Sequence, residues 1–154
     1  MLLYLIRHAH ALDGGSDAAR PLSKRGRAQV RALAGVVRRQ ENFQPAALWH
    51  SPLVRARQTA GLLARRAKLP VPLHRVSGLT PDDDPRVIAR RLNRLRRDVA
   101  IVGHEPHLSA LASLLVTGEA EPPVFVLKKC AALALERYGT RWVVRWLVSP
   151  ESSG

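Results

Sequence analysis

The chain has 154 residues, 46 % of them hydrophobic, enough to bury one core and too few for two. No stretch reaches the roughly 18 apolar residues of a membrane span, and the single cysteine, Cys130, excludes an internal disulfide and fits a reducing cytoplasm. The net charge of +13 favours acidic partners such as nucleic acid, polyphosphate, a phosphoprotein or an acidic protein face, although the arginines are spread along every predicted helix, as a general bias towards Arg would spread them, and few aromatics interleave with them.

Leu2 to Ile6 is a short apolar run without helical period, which predicts a buried strand. It is too short for a signal peptide, and charge follows it instead of a cleavage site. The run stops at Arg7 and His8, so a cation and an imidazole reach the carboxyl edge of a sheet, where open α/β sheets bind ligands. Residues 11–21, rich in Gly, Asp and Ser, read as a loop placed to fold over that edge. Ser23 then caps a helix running to about Gln40, with Val30, Leu33, Ala34 and Val37 on its buried face.

Ala46 to His50 predicts a second strand. Ser51 and Pro52 follow as N-cap and first residue of a helix to about Ala67, which puts Arg55 in the first turn beside the strand end. The start of that helix also offers unpaired N–H groups to an anion. Val71 to Val76 is an edge strand limited by Pro70 and Pro72. A helix from Pro85 to about Arg97 buries Ile88, Leu92 and Leu95. Val99 to Val102 has the continuous apolar character of a central strand and ends at Gly103-His104. The next helix, from Pro106 to about Val116, buries Leu108, Leu111, Ala112 and Leu115. Phe125 to Leu127 and Cys130 to Glu136 read as strand, with Cys130 core material and no nucleophile. Arg141 to Val148 alternates, setting Trp142, Val144 and Trp146 on one face, and residues 151–154 form a frayed tail. The β-α-β-α order implies an α/β fold: a three-layer α/β/α sandwich around a mostly parallel sheet of five to six strands, one domain over 1–154.

Arg7, His8, Arg55 and His104 all fall at carboxyl ends of strands expected to be parallel, hence on one rim. Two guanidiniums and two imidazoles facing one point suit a phosphoryl group, because the planar guanidinium fork meets phosphate oxygens two at a time. One histidine can attack phosphorus; the other, if protonated, can neutralise oxygens in the transition state.

These residues carry a resemblance. Leu5-Ile-Arg-His-Ala-His10 resembles the Arg-His-Gly signature of the histidine phosphatase superfamily, with its phosphoglycerate mutase-like fold. Ser51-Pro-Leu-Val-Arg-Ala-Arg-Gln-Thr-Ala60 is similar to its second motif and Val102-Gly-His104 to its third. Ser16-Asp-Ala-Ala-Arg-Pro-Leu22, and Lys128-Lys-Cys-Ala-Ala-Leu133 through Trp142 to Trp146, resemble the small SixA-like phosphohistidine phosphatase branch. The resemblance spans roughly residues 3 to 149. It implies a signalling phosphatase that cleaves protein phosphohistidine; the single cysteine sets the expectation of a cytoplasmic protein, and nothing in the sequence demands more than a monomer. His8 is then the nucleophile, Arg7, Arg55 and His104 the phosphate pocket, His104 the stabiliser of the transition state, and Arg20 a substrate contact. A phosphohistidine-bearing phosphotransfer protein is the implied partner, and no metal or organic cofactor is implied.

Two departures stand out. Ala9 follows His8 where the superfamily usually has Gly. Many members also carry a Glu after the third strand as general acid, where this chain has Ser77-Gly78-Leu79. Asp17, Asp82 and Asp83 are the candidate acids, with Asp82 to Asp84 doubling as a helix-entry cluster. An alkoxide needs a positioned acid, whereas imidazole is readily protonated near neutral pH, so the missing Glu points to a P–N bond. The rival readings are a phosphatase of a small phosphate ester, nucleotide or polyphosphate, and a non-catalytic phosphate- or nucleic-acid-binding module. A metal hydrolase using His8-Ala-His10 is opposed by Arg7 and by the lack of a completing ligand set.

Overall fold

In the computed structural model, residues 1–40 and 43–150 are described, and every statement below refers to them; the frayed tail expected at 151–154 lies outside. The sheet grows outward from the first strand, β1 (Leu2–Arg7), which pairs in parallel with β4 (Val99–Gly103) on one side. Both strands bury nearly every side chain, as a strand covered on both faces must. Beyond β4 lie β2 (Ala47–His50) and then the short β3 (Leu73–Arg75), all parallel. On the other side of β1, β5 (Ala132–Tyr138) and β6 (Arg141–Val148) run antiparallel, giving the order β3-β2-β4-β1-β5-β6. The sheet is therefore mixed and six-stranded, parallel over its first four strands.

Two helices cover each face. Helices α1 (Lys24–Arg38) and α2 (Val54–Arg66) press Val30, Leu33, Val37, Ala60 and Leu63 onto Tyr4, Ile6, Ala100 and Val102. Helices α3 (Pro85–Arg94) and α4 (His107–Thr117) press Ile88, Leu92, Leu108 and Leu111 onto Leu3, Leu5, Ile101 and Leu133. Alternate residues of β1 and β4 thus feed opposite layers, and each buried Leu or Ile contributes about 1.5–3 kcal/mol. No helix among the described residues is long and apolar enough to cross a membrane.

Several expectations shift. Ser51 is not the cap of α2, which begins at Val54 with Leu53 at the N-cap and no side-chain cap bond. Leu95 lies outside α3, whose end is instead capped by Arg137, donating to the carbonyls of Leu92 and Leu95 at 2.7 Å each. Phe125 to Leu127 forms no strand. Trp142 and Trp146 sit on opposite faces, not one: Ala134 pairs with Trp146 but Leu135 with Val144, so Arg145 bulges out and reverses the alternation.

Candidate active site

The parallel register of β1 and β4 places Arg7 opposite Gly103, and the His8 N–H bonds to the Gly103 carbonyl at 3.0 Å. His8 and His104, the next residues along, therefore emerge side by side, with ring centroids 5.0 Å apart and planes at 50°. On the other side of β4, Ser51 leaves β2 with its N–H on the Val102 carbonyl at 3.3 Å. Its Oγ lies 2.6 Å from His104 Nε2 and also accepts the Leu53 N–H at 3.2 Å. Arg55 follows in the first turn of α2 and is buried.

His8 donates from Nδ1 to the carbonyl of Ala9 at 2.8 Å. That bond fixes the tautomer and leaves the lone pair on Nε2. The turn after His8 is pinned in place: Ala9 N–H bonds to Thr59 Oγ1 and His10 N–H to Gln29 Oε1. Gly26 on α1 is what lets this turn approach, since a Cβ there would sit 2.0 Å from the His10 carbonyl oxygen. Burial, with the nearby cations Arg55, Arg7 and Lys129, pushes His8 down to about 4, against a pull upward from the Ala9 carbonyl. Burial, His8 and Arg55 push His104 down to about 3. Burial thus favours the neutral form of both rings when no anion is bound.

Arg7 lies beside them, Nη1 donating to the Leu127 carbonyl at 3.0 Å. Glu105 accepts from the Ser109 N–H at 2.8 Å and from Ser109 Oγ, and its charge counters the lowering of Arg7 by burial. Three buried polar atoms of this rim have no hydrogen-bond partner among the described residues: Arg7 Nε, Arg55 Nε and His104 Nδ1. Buried orphans are rare, and three on neighbouring residues around one lone pair mark a place for an acceptor-rich group.

The loop after His10 reaches the same rim. Its neck is closed by pairing of Ala11 with Leu22, and its tip is a 3-10 turn over Asp17–Ala19. Arg55 Nη1 donates to the Asp17 carbonyl at 2.8 Å, and Arg55 Nη2 lies 3.4 Å from Asp17 Oδ2. Arg20 stitches the loop, bonding to Leu12 O at 2.8 Å and Asp17 Oδ1 at 3.2 Å. Arg20 and Arg55 together hold the Asp17 carboxyl below the usual carboxylate range. Asp83 accepts from Thr80 N–H and Oγ1 in the turn before α3, which lowers it too, and Asp82 is exposed. Neither makes a hydrogen bond or ion pair to Arg7, His8, Arg55 or His104 among the described residues. His10 Nδ1 faces Ser23 Oγ at 2.6 Å. No group of three or more His, Cys, Asp or Glu among the described residues is placed to hold a metal ion.

The rim thus brings together Arg7, His8, Arg55 and His104, with Asp17 and Arg20 reaching it through the loop. Ser51, Thr59, Gln29 and Glu105 support it and were not singled out from sequence. The Ser-Pro pair reads as a helix start, and nothing local separates a cap from a ligand of a distant histidine.

A family model for the histidine phosphatase superfamily (branch 1) matches residues 3–80. The chain belongs to the histidine phosphatase superfamily. It is 29 % identical over 155 residues to the phosphohistidine phosphatase SixA of Escherichia coli (strain K12), covering 97 % of this chain and 94 % of that protein. An uncharacterised protein of Picosynechococcus sp. is 31 % identical over 126 residues, 77 % of this chain and 75 % of its own. Among solved structures, the protein histidine phosphatase SixA complexed with tungstate superposes with a TM-score of 0.89 at 27 % identity over the whole of both chains. An alpha-ribazole phosphatase from Shigella flexneri shares the fold at a TM-score of 0.78 and 21 % identity, over 97 % of each chain. Within the histidine phosphatase superfamily the chain falls in the SixA-like branch, and its mixed sheet flanked by four helices is the phosphoglycerate mutase-like fold.

Proposed function

We propose that this phosphatase hydrolyses protein phosphohistidine through a phosphoryl group carried on His8. The observation that supports this most is the set of buried polar atoms without partners, the donors Arg7 Nε and Arg55 Nε with His104 Nδ1, beside a histidine whose Nε2 keeps its lone pair. In the first step His8 Nε2 attacks phosphorus and the P–N bond to the substrate imidazole breaks. The leaving nitrogen keeps the electron pair of the broken bond, and the ring departs as neutral imidazole because its other nitrogen already carries a proton taken from solvent near neutral pH. In the second step water attacks the phosphorus on His8, the new P–N bond breaks, and inorganic phosphate leaves with Nε2 regenerated. Arg7 and Arg55 match charge on the equatorial oxygens. His104 neighbours the same oxygens. A bound phosphoryl anion supplies the partner its Nδ1 lacks and draws its pKa up from about 3, so the ring gains charge when substrate arrives.

The leaving group decides the substrate class. Asp17 is held ionised between Arg20 and Arg55, Asp83 is tied to Thr80, and Asp82 points to no partner in the site, so we assign none of them as general acid. Imidazole departs without one near neutral pH, whereas an alkoxide does not. The SixA relatives support the same class, and the tungstate bound by one of them is a tetrahedral oxyanion like phosphate. The test is to offer the protein a phosphohistidine-bearing phosphotransfer protein and an alkyl phosphate such as glycerol 3-phosphate, without added metal. We expect phosphate release from the P–N substrate with a kcat/KM at least about a hundredfold above that for the ester. Cleavage of the ester alone would refute the substrate class.

A further inference from the structure

Helices α1 and α2 follow β1 and β2, which run parallel, so both helices start at the active-site rim and descend side by side. Between them lies an open groove of about 670 Å³. Its walls carry Arg27 and Arg31 from α1 and Arg65 and Arg66 from α2, and its floor carries Leu22 and Leu62. No acidic residue lines it, and all four arginines are exposed. None of the four makes an ion pair among the described residues, although Arg20, Arg55, Arg86 and Arg145 do. The upper end of the groove is tied to the catalytic loop. Gln58, one turn beyond Arg55, accepts the N–H of Leu22, where that loop closes.

We propose that this four-arginine groove is the docking surface for the acidic protein that carries the phosphohistidine. The proposal rests on the phosphohistidine reading of the site. Unpaired guanidiniums in two pairs along the walls attract a row of carboxylates, and the apolar floor takes an aliphatic side chain between them. Running from the rim downward, the groove holds a partner whose modified histidine projects over its edge towards His8. A nucleic-acid strand fits less well: the floor holds no aromatic ring on which a base would stack, and it presents leucines in place of polar groups.

The test compares wild type with the quartet Arg27→Glu, Arg31→Glu, Arg65→Glu and Arg66→Glu on two P–N substrates. One is a phosphorylated acidic histidine phosphotransfer domain; the other is free phosphohistidine. The quartet should raise KM for the protein substrate at least about tenfold, with kcat for it and both constants for free phosphohistidine within about twofold. Wild-type KM for the protein should climb with salt, and the quartet should lose that dependence. Glutamates at Arg65 and Arg66 oppose the dipole at the end of α2, so the neutral Arg→Gln quartet serves as a second variant. If it leaves KM for the protein unchanged, or weakens both substrates equally, the docking surface is refuted while the phosphohistidine reading stands. If wild type cleaves only phosphate esters, the substrate reading falls and the docking surface with it. A fluorescent single-stranded oligonucleotide bound by wild type and lost by either quartet, with KM for the protein unchanged, would overturn the proposal in favour of nucleic acid.

Discussion

Lowering the pH from 7 to 4.5 should destabilise the folded protein through His8, by an amount set by its surroundings. The imidazole is buried among Arg7, Arg55 and Lys129 and titrates at about 4, against 6.5 in a free chain. As pH falls below 6.5 the unfolded chain binds a proton that the folded site refuses. Stability therefore drops with falling pH until about pH 4, where both states hold the proton and the loss stops. A shift of that size corresponds to about 3 kcal/mol, a large share of the 5–15 kcal/mol typical of a whole domain. His104, pushed to about 3, extends the window further down, and the two rings titrate as a coupled pair. Urea unfolding of wild type and His8→Gln between pH 7.5 and 4.5 isolates the His8 share, because carboxylate contributions are common to both. The gap between the two stability curves should change by about 2–3 kcal/mol across that range, with wild type losing more. Curves that stay parallel would mean that His8 protonates freely in the fold, and the reasoning about its neutral, nucleophilic state would fail.

Ser51→Ala should leave His104 Nε2 and the Leu53 N–H unpaired in a buried place, costing about 2 kcal/mol and lowering Tm by roughly 4–8 °C. Because Ser51 acts by holding His104, kcat should fall with little change in KM; an unchanged melt and an unchanged kcat together would refute the pairing. Gly26→Ala drives a Cβ onto the His10 carbonyl oxygen and should cost about 1–3 kcal/mol or more by thermal melt, where a near-neutral effect would contradict the close approach. Asp17 is largely exposed, with 68 % of its side chain accessible, so its pairing with Arg55 is worth at most about 1 kcal/mol. Asp17→Ala should take the carboxylate away from Arg55 Nη2, leaving the backbone bond to Nη1, and tighten inhibition by inorganic phosphate by up to roughly fivefold; weaker inhibition would make Asp17 a helper of anion binding instead of its competitor.

The rim was legible because its signals are coarse. A strand that stops at a charged or imidazole side chain can be read from the apolar run before it, and two such stops, at Arg7-His8 and at Gly103-His104, together with Arg55 in the first turn after the second strand, describe the sheet edge. Helix faces were legible for the same reason: Val30, Leu33, Ala34 and Val37 repeat at the helical period and are buried as that period requires. What stayed hidden depends on long-range pairing. Ser51 has the local chemistry of an N-cap, and only the adjacency of β2 and β4 turns it towards His104. The bulge at Arg145 leaves no mark in an alternating sequence, so Trp146 was assigned the face of Trp142 although it packs against Tyr4 across the sheet. Phe125 to Leu127 has the composition of a strand but gives its Leu127 carbonyl to Arg7, a contact 120 residues away in sequence.

The measurement closest to the central claim is capture of the phosphoryl group on His8. Wild type and His8→Ala would be mixed with a phosphohistidine-bearing phosphotransfer protein, quenched in alkali within the first turnover and digested for mass spectrometry. Wild type should yield a phosphorylated peptide containing His8, and His8→Ala should yield neither that peptide nor released phosphate. Sustained phosphate release by His8→Ala, or a phosphoryl group found on another side chain, would contradict the nucleophile assignment.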